Sequence, residues 1–187
     1  GKYHKNTYFR VMKSPFPLWI ILSIAASSFF FLAFSYSGEA KSEDVHLSEE
    51  LIIPDDLLDA TGERVSSKKL EGKFVGLYFS ASWCGPCRKF TPKLIEFRDQ
   101  YADDFEVILV GGDGSKKAQA NYMKKYAMPW LAMENQSAEA KLASKLSEVE
   151  YIPYLVILDS HGKIVTKSGK ADIDRMGQDA FTYWKDL

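Results

Sequence analysis

From Phe16 to Phe34 the chain carries no charged residue and is dominated by apolar and aromatic side chains. At ~1.5 Å per helical residue the stretch nearly matches a hydrocarbon layer of ~30 Å, which predicts one N-terminal hydrophobic helix long enough to span a bilayer. Past Pro54 the pattern changes to short apolar runs alternating with helical periodicities. Phe74 to Phe79 and Phe105 to Val110 have strand length and strand composition. Phe90, Leu94, Phe97 and Tyr101 recur at helical spacing between them, with Lys93, Glu96, Asp99 and Gln100 on other faces. Ala118, Tyr122, Met123 and Tyr126 predict a second helix, and Leu142, Ala143, Leu146 and Val149 a third after the polar Glu134-Asn135-Gln136-Ser137 break. Tyr154 to Leu158 and Ile164 to Thr166 flank Asp159-Ser160-His161-Gly162, a turn-rich quartet that predicts a hairpin with His161 as a turn residue. Ile173, Met176, Ala180, Phe181, Trp184 and Leu187 predict a single closing helix packed on the sheet. Leu57, Leu58 and Val65, around the Ala60-Thr61-Gly62 turn, are expected to dock at the start of this unit. Strands alternating with helices and ending in a hairpin imply an α/β class with a central mixed sheet flanked by helices.

Three segments follow. Residues 1–37 form a basic start plus a transmembrane anchor or signal segment, residues 38–55 a polar, mostly acidic linker, and residues 56–187 a globular domain of ordinary size. Lys2, Lys5, Arg10 and Lys13 precede the apolar stretch while Glu39, Glu43 and Asp44 follow it, so the positive-inside rule keeps the start cytoplasmic and exports the rest. A cleaved signal peptide, processed near Ser35 and Ser37 or Gly38 and Ala40, leads to the same compartment. With 24 Lys and Arg against 25 Asp and Glu, mixed along the globular part, nothing points to nucleic-acid binding.

The chemistry lies in Trp83-Cys84-Gly85-Pro86-Cys87, which holds the only 2 cysteines and sits where the first long strand ends and the first helix begins. A sulfur at a helix start meets unpaired backbone N–H groups and the positive end of the helix dipole, both of which stabilise a thiolate. Cys84 is therefore the expected nucleophile, and Cys87, one turn further in and more covered, the expected resolving thiol. Zinc would need about four ligands, and the 3 histidines, His4, His46 and His161, offer no paired spacing. Covalent haem attachment needs a histidine where Arg88 stands, and a stapling disulfide usually closes a longer loop. No metal and no dissociable cofactor is implied.

The stretch Tyr78 to Leu94, reading Tyr-Phe-Ser-Ala-Ser-Trp-Cys-Gly-Pro-Cys-Arg-Lys-Phe-Thr-Pro-Lys-Leu, resembles the active-site region of thioredoxin-like proteins, specifically the tryparedoxin and nucleoredoxin branch. Asp113, Met128-Pro129-Trp130-Leu131 and Ile152-Pro153-Tyr154-Leu155-Val156-Ile157-Leu158-Asp159 match that branch in order, so the resemblance covers about residues 56 to 170. It implies a thioredoxin-like fold and thiol-disulfide exchange on disulfide-containing protein substrates, recharged by a dithiol electron donor that for exported relatives is commonly a membrane thiol transporter. Oxidase or isomerase activity on exported proteins, and a redox-inactive binding module, are the alternative readings.

Two departures stand out. Many members of the branch carry Pro-Pro between the cysteines, whereas Gly85-Pro86 is the pair familiar from thioredoxin. Thioredoxin also places a buried aspartate where this chain has Tyr78, so that proton-moving role does not carry over. Asp113 reads as a solvated loop acid after a Gly-Gly turn. The resemblance further implies that the Ile152-Pro153 bond is cis and faces the cysteines, leaving the Ile152 backbone free to pair with an extended substrate segment. Trp83 and Met128-Pro129-Trp130 read equally as core or as an apolar rim for partners. The expected substrate contacts are Trp83, Gly85, Pro86, Trp130, Ile152 and Pro153.

Overall fold

Apolar β-branched and aromatic runs pair with one another here because each is too apolar to face water on either side. The computed structural model describes residues 53–187. Its strands are β1 (Asp56–Leu58), β2 (Arg64–Ser66), β3 (Phe74–Ser80), β4 (Phe105–Gly111), β5 (Leu131–Ala132), β6 (Tyr154–Leu158) and β7 (Ile164–Thr166). They form one sheet in the order β2-β1-β5-β4-β3-β6-β7. β3 runs parallel to β4 and antiparallel to β6, and β4 runs parallel to β5, so the sheet is mixed as the pattern implies. The helices are α1 (Gly85–Gln100), α2 (Lys116–Lys125), α3 (Ala138–Leu146), α4 (Gly169–Met176) and α5 (Ala180–Lys185).

The pleat divides the core into two layers. Tyr78, Phe105, Val107, Leu109, Leu155 and Ile157 point to the side that holds Phe90, Leu94 and Phe97 of α1 and Phe181 and Trp184 of α5. Val75, Leu77, Phe79, Ile108, Val156 and Leu158 point to the other, against Ala140 and Ala143 of α3. Gly169 lets α4 approach β6, since a Cβ there would meet the Leu155 carbonyl oxygen at 2.9 Å. Arg98 spans Glu106 with two nitrogens, and that hydrogen bond raises its already high pKa.

Several expectations are corrected. Leu57 and Val65 dock as expected, Leu57 fully buried, and the strands on either side of the Ala60-Thr61-Gly62 turn pair as a β1-β2 hairpin that the pattern did not predict. β5 is a strand the pattern did not predict; two residues are too few for periodicity to show. The closing helix is two helices, because Gly177 takes φ 58° and a 3-10 turn over Gly177–Asp179 redirects the chain. Leu187, expected to pack on the sheet, faces solvent, as does Leu142 of the predicted third helix, and α3 ends at Leu146, before Val149. The N-terminal hydrophobic helix and the linker up to residue 52 lie outside the described residues. Among the described residues no helix is long and apolar enough to cross a membrane.

Candidate active site

Cys84 ends the loop leaving β3 and is the N-cap of α1; its sulfur accepts a hydrogen bond from the Cys87 N–H at 3.1 Å. A cysteine sulfur thus takes the place that a serine or aspartate oxygen usually fills at a helix start. Pro86 suits this first turn because its missing N–H would have had no helical partner. Cys84 and Cys87 are joined as a disulfide, with Cα atoms 5.2 Å apart. Both sulfurs are buried, Cys87 completely, whereas Pro86 beside them is exposed.

The Ile152-Pro153 bond is cis and sits against the pair. Cys84 Sγ lies 3.7 Å from the Ile152 carbonyl oxygen. In the disulfide that sulfur has no proton to give; on reduction the thiol faces an acceptor on one side and the Cys87 N–H on the other. Trp83 is 66% exposed and leans on the neighbouring loop, its indole N–H donating to the Gly112 carbonyl at 3.3 Å.

Beneath Cys87 lies a set of buried hydroxyls. Tyr78 Oη and Thr91 Oγ1 approach the Cys87 carbonyl at 3.1 and 2.9 Å and each other at 3.0 Å. Thr91 continues to Tyr122 Oη at 3.2 Å, and Tyr122 to Ser80 Oγ at 2.9 Å. Burial pushes the Tyr78 phenol well above the ordinary tyrosine range, against the hydrogen bonds of Ser80 and Thr91. Tyr78 therefore stays neutral and braces the Cys87 backbone without offering the negative charge of a buried aspartate.

Asp113 is not a solvated loop acid. It is 2% exposed, and its Oδ1 accepts from Ser82 N–H at 3.1 Å and from Ser82 Oγ at 2.6 Å. The Asp113–Ser82 pair clamps the loop leaving β4 to the loop that carries Trp83 and Cys84, and Asn135 Nδ2, donating to the Gly111 and Asp113 carbonyls at 3.1 and 2.9 Å, ties the β4 loop in turn to the segment after β5. Sequence reasoning missed this latch. Its signal was an acid just past the carboxyl end of a parallel strand, the edge where α/β sheets gather their sites.

Of the two readings open for Trp130, core or rim, the structure takes the core. The side chain is 2% exposed, packs edge-on against Tyr78 with ring centroids 6.2 Å apart, and cannot touch a substrate in this conformation. Met128 is buried with it. Gly85 and Pro86 lie between the bonded cysteines, Trp83 precedes them, and Ile152 meets Cys84 through its carbonyl, with Pro153 following it. Among the described residues no three His, Cys, Asp or Glu side chains are grouped so as to hold a metal ion.

A central mixed sheet, a disulfide at the N-terminus of the helix after the first parallel strand, and a cis-proline facing it define a thioredoxin-like protein. The family model described as Thioredoxin-like matches residues 72–164. Over 107 residues the chain is 44% identical to tryparedoxin of Trypanosoma brucei brucei, covering 56% of this chain and 72% of that one. It is 38% identical over 145 residues to probable nucleoredoxin 1 of Arabidopsis thaliana, covering 76% of this chain and 25% of the relative. A solved structure of tryparedoxin from Trypanosoma brucei superposes with TM-score 0.63 at 35% identity, covering 72% of this chain and 94% of the other. The chain belongs to the thioredoxin-like family, with tryparedoxins and nucleoredoxins as its relatives, and its paired cysteines make the domain a thiol-disulfide oxidoreductase. It spans about a quarter of the length of the nucleoredoxin relatives.

Proposed function

We propose that the protein is an extracytoplasmic protein-disulfide reductase, held to the membrane through residues 16–34. The observation that carries the redox part is the Cys84 sulfur at the α1 N-cap, hydrogen-bonded to the Cys87 N–H and lying against Ile152. In the dithiol form the Cys84 thiolate attacks a substrate disulfide; a Cys84–substrate bond forms and one substrate sulfur leaves as a thiolate that takes up a proton. Cys87 then gives up its proton and attacks Cys84 Sγ. The second substrate thiol is released and the disulfide seen in the structure re-forms, so two electrons and two protons pass to the substrate. A donor dithiol must return the pair to the reduced form, and a membrane thiol transporter is the donor class that suits an exported domain.

The direction rests on Gly85-Pro86, the pair of reducing thioredoxins, whose potential lies near −270 mV against roughly −120 mV for a strong periplasmic oxidant. For a two-electron couple that gap is about 7 kcal/mol. The expected potential, read from a glutathione or dithiothreitol equilibrium through Trp83 emission, is therefore well below about −180 mV. A higher value rejects the reductase reading in favour of an oxidase or isomerase.

The location rests on the cations before Phe16 and the acids after Phe34. An impermeant thiol reagent is expected to label the reduced protein on intact cells or spheroplasts. Labelling that requires lysis would contradict export.

A further inference from the structure

Two clefts beside the disulfide share Pro86 and Lys170 and so form one trough. One, of about 390 Å³, is bounded by Tyr151, Pro153 and Lys167; the other, of about 250 Å³, by Lys89, Lys93 and Asp174. Pro86 stands between the cysteines and Pro153 follows Ile152, whose carbonyl oxygen lies 3.7 Å from Cys84 Sγ, so the trough lies beside the active-site pair.

Its charge is one-sided. Lys89, Lys93, Lys167 and Lys170 line it, with Asp174 as the one carboxylate in its wall. Asp174 bridges Lys93 at 2.8 Å and Lys170 at 2.7 Å, so a single negative charge holds two cations in place. Lys170 also lies 5.4 Å from the Phe90 ring centre, which fixes it further. Glu148, itself largely exposed, pairs with Lys167 at 2.6 Å, and Glu150 lies just before Tyr151. Arg88 and Lys89 are exposed and make no ion pair among the described residues. The trough is net positive in a chain whose formal charge is −1, so the excess is local. Exposed Tyr151 adds an apolar shelf at one end.

We propose that this trough docks an acidic segment flanking the disulfide of the substrate protein, laid across Pro86 among Lys167 at one end, Lys89 and Lys93 at the other, and Lys170, which lines both clefts. The assignment rests on the oxidoreductase reading above and specifies the substrate class. The lysines raise the local concentration of an acidic partner and orient its disulfide on Cys84; they add no redox step. A free small dithiol behaves in the opposite way, because its thiolate is repelled by flanking carboxylates.

The test compares two disulfide peptides of equal length, one flanked by Asp and Glu and the other by Lys, as substrates of the full chain driven by a small dithiol. The acidic peptide is expected to have kcat/KM at least ~10-fold higher at low ionic strength, with the ratio falling toward one near ~0.5 M salt as the Debye length shrinks. In the Lys89→Gln/Lys93→Gln and Lys89→Glu/Lys93→Glu variants the ratio is expected to fall to one or invert. Because each ratio is taken on a single protein, partial misfolding cancels. A ratio near one in the native chain, or a ratio unmoved by the variants, overturns the proposal; so does binding to vesicles rich in anionic lipid without peptide preference. Turnover of neutral hydroxyethyl disulfide by the native chain tests the oxidoreductase reading separately. If that turnover is absent, titration with a cysteine-free acidic peptide still decides the docking: salt-sensitive binding sustains it, and no binding rejects it.

Discussion

Cys84→Ser lowers disulfide exchange by at least ~10³-fold, toward the rate of the driving dithiol alone, because a serine hydroxyl is not ionised near neutral pH and cannot attack sulfur usefully. Cys87→Ser gives a different result. The first attack survives and the resolving step is lost, so the variant accumulates as a mixed disulfide with its substrate. The asymmetry follows from position. Cys84 caps α1 and receives the Cys87 N–H at 3.1 Å, whereas Cys87 is fully buried over the neutral hydroxyls of Tyr78 and Thr91. On reduction the helix-start N–H supports negative charge on Cys84 better than the neutral hydroxyls support it on Cys87. Alkylation rate against pH, measured on each single variant, checks the assignment. A lower pKa and faster alkylation at Cys87 would reverse the roles.

In the proposed exchange the second thiol loses its proton while buried, and the hydroxyls beneath Cys87 contact its carbonyl rather than its sulfur. Tyr78 occupies the position of the buried aspartate of thioredoxin and is held neutral by its surroundings. The Ser80, Tyr122, Thr91 and Tyr78 hydroxyls satisfy one another and the Cys87 carbonyl. Such a set fixes the backbone of the resolving cysteine at low desolvation cost, since none of its members has to be buried as an ion.

What the chain reveals before folding divides along physical lines. β3, β4, α1 and the β6-β7 hairpin are legible because their signals are local: long apolar runs, helical spacing, and a turn quartet between two strands. The position of Cys84 at a helix start follows from the junction of two such signals. The break of the closing helix at Gly177 is a local miss; the others depend on partners distant in sequence. β5 is defined by pairing Leu131 and Ala132 with Ile108 and Leu109 of β4 and Ala132 with Leu58 of β1, none of which two residues can announce. Leu142 sits at a helical period yet faces solvent, because the face of α3 that meets the sheet is built from Ala140 and Ala143. Asp113 looks like any loop acid until Ser82 is brought to it from the preceding loop. The trough lysines come from α1, the end of β7 and α4, so their common charge appears only once these elements pack.

Trp130 and Trp83 were indistinguishable as recognition residues in the sequence, and opposite outcomes are expected when each is truncated. Trp130→Ala removes a ring that is 2% exposed and packed on Tyr78, which costs about 3–5 kcal/mol by loss of burial and creation of a cavity. For a domain of this size that lowers Tm by roughly 10–20 °C and shifts the denaturant midpoint with little change in slope. Trp130→Phe is milder, partly because the buried indole N–H has no hydrogen-bond partner and its removal leaves nothing newly unsatisfied. Trp83→Ala, at a side chain 66% exposed and tied to the fold by one long hydrogen bond to Gly112, costs under ~1 kcal/mol and raises KM for protein disulfides. Thermal and denaturant unfolding of the three variants, set beside their KM values, separates core from rim. A Trp130→Ala variant of native stability with a selectively raised KM would show that the Trp130 ring reaches the substrate, against its buried position here.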